Sequence, residues 1–208
     1  MNDIQHRIEA ERLDLADFLD TLTESDWATT SLCPAWTVHD IVAHLTLSTR
    51  TTLSDVLRGA IRARGNWERM EADAATERAA RFTPTELIAQ FRETAASTRR
   101  SPGSKPLDTL TDALVHGQDI AIPLGRERAM PLDLAQAALD HVLKSPFYGA
   151  RKRLKGTRLT ATDTNWSTGQ GDNELSGPIQ DLLLLATGRP AGFRTVTGAC
   201  PGLDRLTA

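Results

Sequence analysis

Apolar residues recur at three- and four-residue spacing through most of positions 1–150, the period of amphipathic helices. Ile4, Ile8, Leu15, Phe18, Leu19 and Leu22 mark a first helix, with charged residues between them. Leu32 to Ala35 contains Pro34 and reads as a loop. Thr37-Val38-His39-Asp40 then opens a second helix. Thr37 is placed to accept the amide of Asp40, and the Asp side chain suits the positive helix end. Its apolar stripe is Val38, Ile41, Val42 and Leu45. Arg58 to Arg81 is densely charged and interrupted by Gly59 and Gly65, so it reads as a solvated helix extension or a mobile connection. Thr83-Pro84-Thr85-Glu86 combines a capping box with a proline at the first helical position. That helix is expected to run to about Arg100, where Ser101-Pro102-Gly103-Ser104 breaks it. A further helix is predicted over 106–124 with Gly125 as its stop, and another from near Pro131 to near Tyr148.

The pattern changes after Arg151. Thr157 to Asp163 alternates as a strand does, Asn165 to Asn173 reads as a turn, and Gly177 to Ala186 as a helix ended by Gly188. Phe193 to Thr197 reads as a second strand. The expectation is a mainly α protein, with a helical bundle over 1–150 and a small α/β module over 151–208. No internal repeat is evident.

Composition narrows the class. The 208 residues are 40% hydrophobic and 25% charged, which fits a folded globular chain. A formal charge of −3 supplies no global basic field for nucleic acid or anionic lipid. Residues 1–20 are charged throughout and resemble no secretory leader, and no apolar run approaches the ~20 residues that span a membrane. Cys33 and Cys200 form no CxxC pair, which fits a reducing cytoplasm and requires neither to be a metal ligand.

Within the helix over 106–124, Asp112 and His116 are four apart and lie one turn apart on one face, with Asp119 three further on. A carboxylate and an imidazole so spaced can reach one metal ion, and a catalytic zinc takes three protein ligands and keeps one open position. His44, at the edge of the second helix's apolar stripe, is the natural third ligand, since helices packed ~8–10 Å apart can bring such groups to one centre. A second reading stays open: Asp108, Asp112, His116 and Asp119 would form a solvated ribbon, opposite Leu107, Leu110 and Leu114. His39 lies about 140° around the helix from His44 and cannot share its ion. His6 sits among charges, and His141 beside Asp140 reads as structural.

The same residues carry a resemblance. Ser31-Leu32-Cys33-Pro34-Ala35-Trp36-Thr37-Val38-His39-Asp40-Ile41-Val42-Ala43-His44-Leu45 resembles the signature of the mycothiol-dependent maleylpyruvate isomerase family, within the DinB-like metal-binding superfamily. Asp112 to Asp119 resembles its second signature. Asp163, Trp166, Gly169 and Gly171, then Gly177 to Arg189, resemble the family's second domain. The resemblance implies a DinB-like four-helix bundle with a zinc-type divalent metal held by His44, Asp112 and His116, water filling the open position. The isomerase itself has Glu where this chain has Asp112, one methylene shorter.

The family's chemistry implies a small-molecule thiol, mycothiol or similar, activated as a thiolate that adds to a small electrophile, giving isomerisation or an S-conjugate. Asp119 would orient His116 or bind the thiol. Arg189 and Arg194 are candidates for holding an anionic electrophile, while the basic cluster from Arg151 to Lys155 reads as a charged linker. Trp36 would line the pocket or act as a hydrophobic staple. Two rivals remain: an iron oxygenase with two histidines and one carboxylate, and a non-catalytic metal-stabilised binding or stress-response module. No motif speaks to oligomeric state.

Overall fold

The computed structural model describes residues Asn2–Leu206 and divides into two compact units, one ending at Arg128 and one starting at Ala129. The first unit holds α1 (Asn2–Asp20), α2 (Val38–Leu47), α3 (Leu53–Arg62), α4 (Trp67–Ala79), α5 (Pro84–Glu93) and α6 (Pro106–Ala121). Local chemistry sets the helix starts. Thr37, Thr52 and Thr83 each accept the amide three residues on, and Asp40, Asp55 and Glu86 reach back to the cap amide.

Helices α1, α2, α5 and α6 pack pairwise around one core, and α4 packs on α2. Leu15, Leu19, Ile41, Val42, Leu87, Phe91, Ala113 and Ile120 fill that core. Each large apolar side chain buried there contributes about 1.5–3 kcal/mol. The core explains why α5 stops at Glu93 rather than near Arg100. The buried Arg12 guanidinium of α1 takes the carbonyls of Thr94 (2.6 Å) and Ala95 (3.3 Å), which supplies the end of α5 with its partner. The charged stretch over 58–81 is neither a simple extension nor a loop. It is the second half of α3 and all of α4, joined by a tight turn, and Arg78 of α4 donates to Thr46 of α2 at 2.5 Å.

The second unit holds α7 (Leu132–Lys144), α8 (Ala150–Arg153), β1 (Thr157–Ala161), β2 (Ser167–Thr168), β3 (Asn173–Gly177), α9 (Ile179–Ala186) and β4 (Thr197–Gly198). The sheet order is β2-β1-β3-β4, with β1 and β3 parallel, paired from Thr157↔Asn173 to Ala161↔Gly177. The outer strands run antiparallel to their neighbours. Helix α7 packs on α9, so a helix that the sequence pattern grouped with the bundle lies in the second unit. Asp163, on the loop after β1, accepts the amide of Ile179 at the start of α9.

Two expectations fail here. Asn173–Gly177 is a central strand, not the end of a turn and the start of a helix. Phe193–Thr197 is not a strand: Pro190–Arg194 forms a 3-10 turn, followed by the two-residue β4. The reason is close packing, since a Cβ on Gly192 would stand 2.4 Å from the Asp181 carbonyl oxygen. The basic cluster is also not a free linker. It forms α8, and Arg151 donates to the carbonyls of Leu143 and Lys144 at the end of α7. The GxG at 169–171 serves close packing, for a Cβ on Gly171 (φ 145°) would lie 2.1 Å from the Gly156 carbonyl oxygen. No described helix is long and apolar enough to cross a membrane.

Candidate metal centre

The loop from Ser31 to Thr37 is built around one hydroxyl. Ser31 Oγ donates to the Trp36 carbonyl (2.9 Å) and accepts the Cys33 amide (3.1 Å). The Leu32 amide donates to the backbone carbonyl of Asp119 (3.1 Å), which ties this loop to α6. So held, Trp36 packs against the core cluster that includes Ile41. Its ring lies 5.1 Å from that of His44 and 6.2 Å from that of His116, and the two imidazoles are themselves 5.1 Å apart, nearly perpendicular.

Helix α6 is buried on nearly every side from Leu110 to Ala121. The solvated-ribbon reading therefore fails: Asp119 is 0% exposed and His116 8% exposed. Nδ1–H of His116 donates to Asp119 Oδ2 at 2.8 Å, and the Cys33 thiol donates to the same oxygen at 3.2 Å. Burial alone would lower the His116 pKa, but its hydrogen bonds to Asp119 and Cys33 reverse that and push it up to about 10. These contacts occupy Nδ1, so any ligand role of this ring falls to Nε2.

One residue escaped the sequence reading. Glu71 of α4 lies within electrostatic reach of both Asp112 and His116 and accepts a hydrogen bond from Trp67. Burial, and next the neighbouring Asp112 charge, push its pKa up to about 7, against the opposing influence of Trp67 and His116. The available signal was spacing: Glu71, Ala75 and Arg78 recur at i, i+4 and i+7, and Ala75 is fully buried. The surrounding charges concealed it.

Two donor sets share His116. Cys33, His116 and Asp119 bring ligand-type atoms within 4.8 Å of one another. Their separations suit hydrogen bonds, since tetrahedral zinc with ~2.0–2.1 Å bonds would hold its nitrogen and oxygen ligands about 3.3 Å apart. The other set is His44, Asp112 and His116. Two imidazoles bound to one such ion would have centroids about 5 Å apart, which matches the observed 5.1 Å. Asp112 stands one turn before His116 on the same helix and is half-buried. The imidazole spacing matches a shared ion, while Cys33, His116 and Asp119 are the group that brings three ligand-type atoms within 4.8 Å among the described residues.

The remaining candidates lie elsewhere. His39 donates through Nε2 to the Phe82 carbonyl (3.0 Å), and His6 is exposed beside Glu9. His141 packs on Tyr148 in the second unit. Arg189 and Arg194 also belong to that unit, Arg189 donating to the Thr187 carbonyl (2.8 Å). The site described above is built from the first unit alone.

Comparison with known proteins gives a consistent result. Residues 8–118 match the family model described as the mycothiol maleylpyruvate isomerase N-terminal domain. Two crystal structures are similar, the mycothiol-dependent maleylpyruvate isomerase and a histidine-to-alanine mutant of it. Their TM-scores are 0.62 and 0.64, at 12% identity over 95% of this chain and 92% of theirs. No curated protein matches the sequence.

Proposed function

The chain belongs to the mycothiol maleylpyruvate isomerase family, and on that premise we propose that it is a divalent-metal enzyme activating a low-molecular-weight thiol for addition to a small electrophile. The observation that carries the reading is the convergence of Trp36, His44 and His116, with Nδ1 of His116 committed to a buried carboxylate. His44, Asp112 and Nε2 of His116 would hold the ion. Zinc is the first candidate, and its chemistry is to lower the pKa of a thiol.

Around it, each side chain has a defined task. Asp119 fixes the tautomer and orientation of His116. Trp36 gives the pocket an apolar wall that excludes water from the imidazoles. Glu71 is placed to take the thiol proton and return it. The thiolate sulfur forms a C–S bond to an unsaturated carbon, and the double-bond electrons move onto the electrophile. If the C–S bond breaks after rotation, the thiol departs, recovers its proton, and the outcome is isomerisation. If the adduct carbon is protonated instead, the outcome is an S-conjugate. Mycothiol and maleylpyruvate are the first thiol and electrophile to test.

The test is cobalt substitution followed by thiol titration. A new thiolate-to-cobalt absorption on adding mycothiol, absent in His116→Ala, supports the reading. Stoichiometric metal whose spectrum no thiol alters would replace it with a metal-stabilised binding module.

A further inference from the structure

We propose that Cys33 is a positioning residue for His116, its S–H holding Asp119 Oδ2 where that oxygen accepts Nδ1–H. The inference rests on His116 being a metal ligand through Nε2. Asp119 Oδ2 accepts from two donors, His116 Nδ1 at 2.8 Å and Cys33 Sγ at 3.2 Å, while Sγ and Nδ1 stand 3.8 Å apart. The carboxylate is wholly buried, so these hydrogen bonds set its orientation in place of bulk water.

Cys33 is itself fixed from both sides. Its amide donates to Ser31 Oγ, and the preceding amide, that of Leu32, donates to the Asp119 carbonyl. The same residue of α6 thus anchors the loop by its backbone and receives the thiol by its side chain. The S–H is directed at the Asp119 carboxylate, 3.2 Å away. The consequence for the centre is orientational. With Oδ2 held, the imidazole cannot rotate without breaking its 2.8 Å bond, and Nε2 keeps one direction.

The experiment compares wild type, Cys33→Ala, Cys33→Ser and His116→Ala. Zinc affinity is measured by competition with a chromophoric chelator, and the Nδ1–H signal of His116 is followed by long-range proton–nitrogen NMR on the zinc-loaded protein. Cys33→Ala should bind zinc about tenfold more weakly, the lower end of the range for removing a partner of a metal-bound histidine. It should also shift or broaden the Nδ1–H signal. Cys33→Ser, which keeps a donor, should recover most of both. Near-wild-type affinity and an unchanged signal in Cys33→Ala, while His116→Ala loses zinc, would overturn the inference and leave the metal reading intact. Retention of zinc by His116→Ala would remove the metal reading itself. A thiolate-to-cobalt band in the thiol-free, cobalt-loaded wild type that Cys33→Ser abolishes would also overturn it, by making Cys33 a ligand.

Discussion

Glu71→Gln should remove a pH dependence from the stability of the metal-free protein. Burial and the Asp112 charge raise the Glu71 pKa from 4.5 to about 7. Between those two values the unfolded chain has lost the proton and the folded chain still holds it. Folded protein then binds more protons than unfolded, so stability falls as pH rises from about 4.5 to 7, and the penalty is complete above that window. At ~1.4 kcal/mol per pKa unit the shift corresponds to roughly 3 kcal/mol, and residual solvent access reduces this to about 1–3 kcal/mol. Gln is nearly isosteric, keeps an acceptor for Trp67 and cannot ionise. Thermal melts in chelator at pH 5, 6, 7 and 8 should therefore show wild type losing several degrees against Glu71→Gln as pH rises. His116 contributes separately. Its pKa is raised, so its stabilisation is full below about 6.5 and fades as pH rises toward about 10. Both proteins retain that histidine, so the difference between their curves isolates Glu71. Parallel curves over pH 5 to 8 would refute the burial of Glu71 that chiefly raises its pKa.

Three further outcomes follow from the same contacts. His44→Ala and Asp112→Ala should each lower zinc content to near background in elemental analysis while far-ultraviolet circular dichroism is preserved. Asp119→Asn should weaken zinc binding by about 10- to 100-fold, read by chelator competition, because the amide cannot reproduce the charge at Nδ1–H. Arg12→Met should destabilise the protein by about 2–4 kcal/mol in urea melts, since it deprives the carbonyls of Thr94 and Ala95 of their donor and removes the cation over the Phe91 ring.

Helix starts were legible because they are local. Thr37 and Thr83 carry their capping partners three residues away, and the structure forms both boxes; the same box at Thr52, which starts α3, went unread. The i,i+4 spacing of Asp112 and His116 was equally visible, since helical geometry alone places them on one face. The state of that face was not. Whether Asp119 meets water or a thiol depends on a loop more than eighty residues earlier in the chain, and no periodicity in α6 records it. Glu71 was hidden for the converse reason. It sits among Glu68, Arg69 and Asp73, and only the packing of α4 on α2 separates it from solvated neighbours. Strand β3 was missed because Asn173 and Glu174 resemble turn residues, and Gly177 resembles a helix boundary. The parallel pairing with β1 overrides those local preferences.

The division of labour among these elements bears on how the site could change. On α6, His116 stands between Asp112, four residues before it, and Asp119, three residues after it. In the proposed centre Asp112 would share the metal, while Asp119 holds the ring from Nδ1. In that centre a single helix would constrain the imidazole at both ends, and helical spacing would leave little freedom to alter one carboxylate without disturbing the other. Glu71 and Trp36 stand apart from that constraint, on α4 and on the loop before α2. Neither belongs to the proposed ligand set, yet Trp36 borders the two imidazoles and Glu71 lies within electrostatic reach of Asp112 and His116. Substitutions that change which electrophile is accepted should therefore fall on α4 and the loop, where they move kcat/KM between substrates and leave metal affinity within a few-fold. Substitutions on α6 should lose metal and activity together.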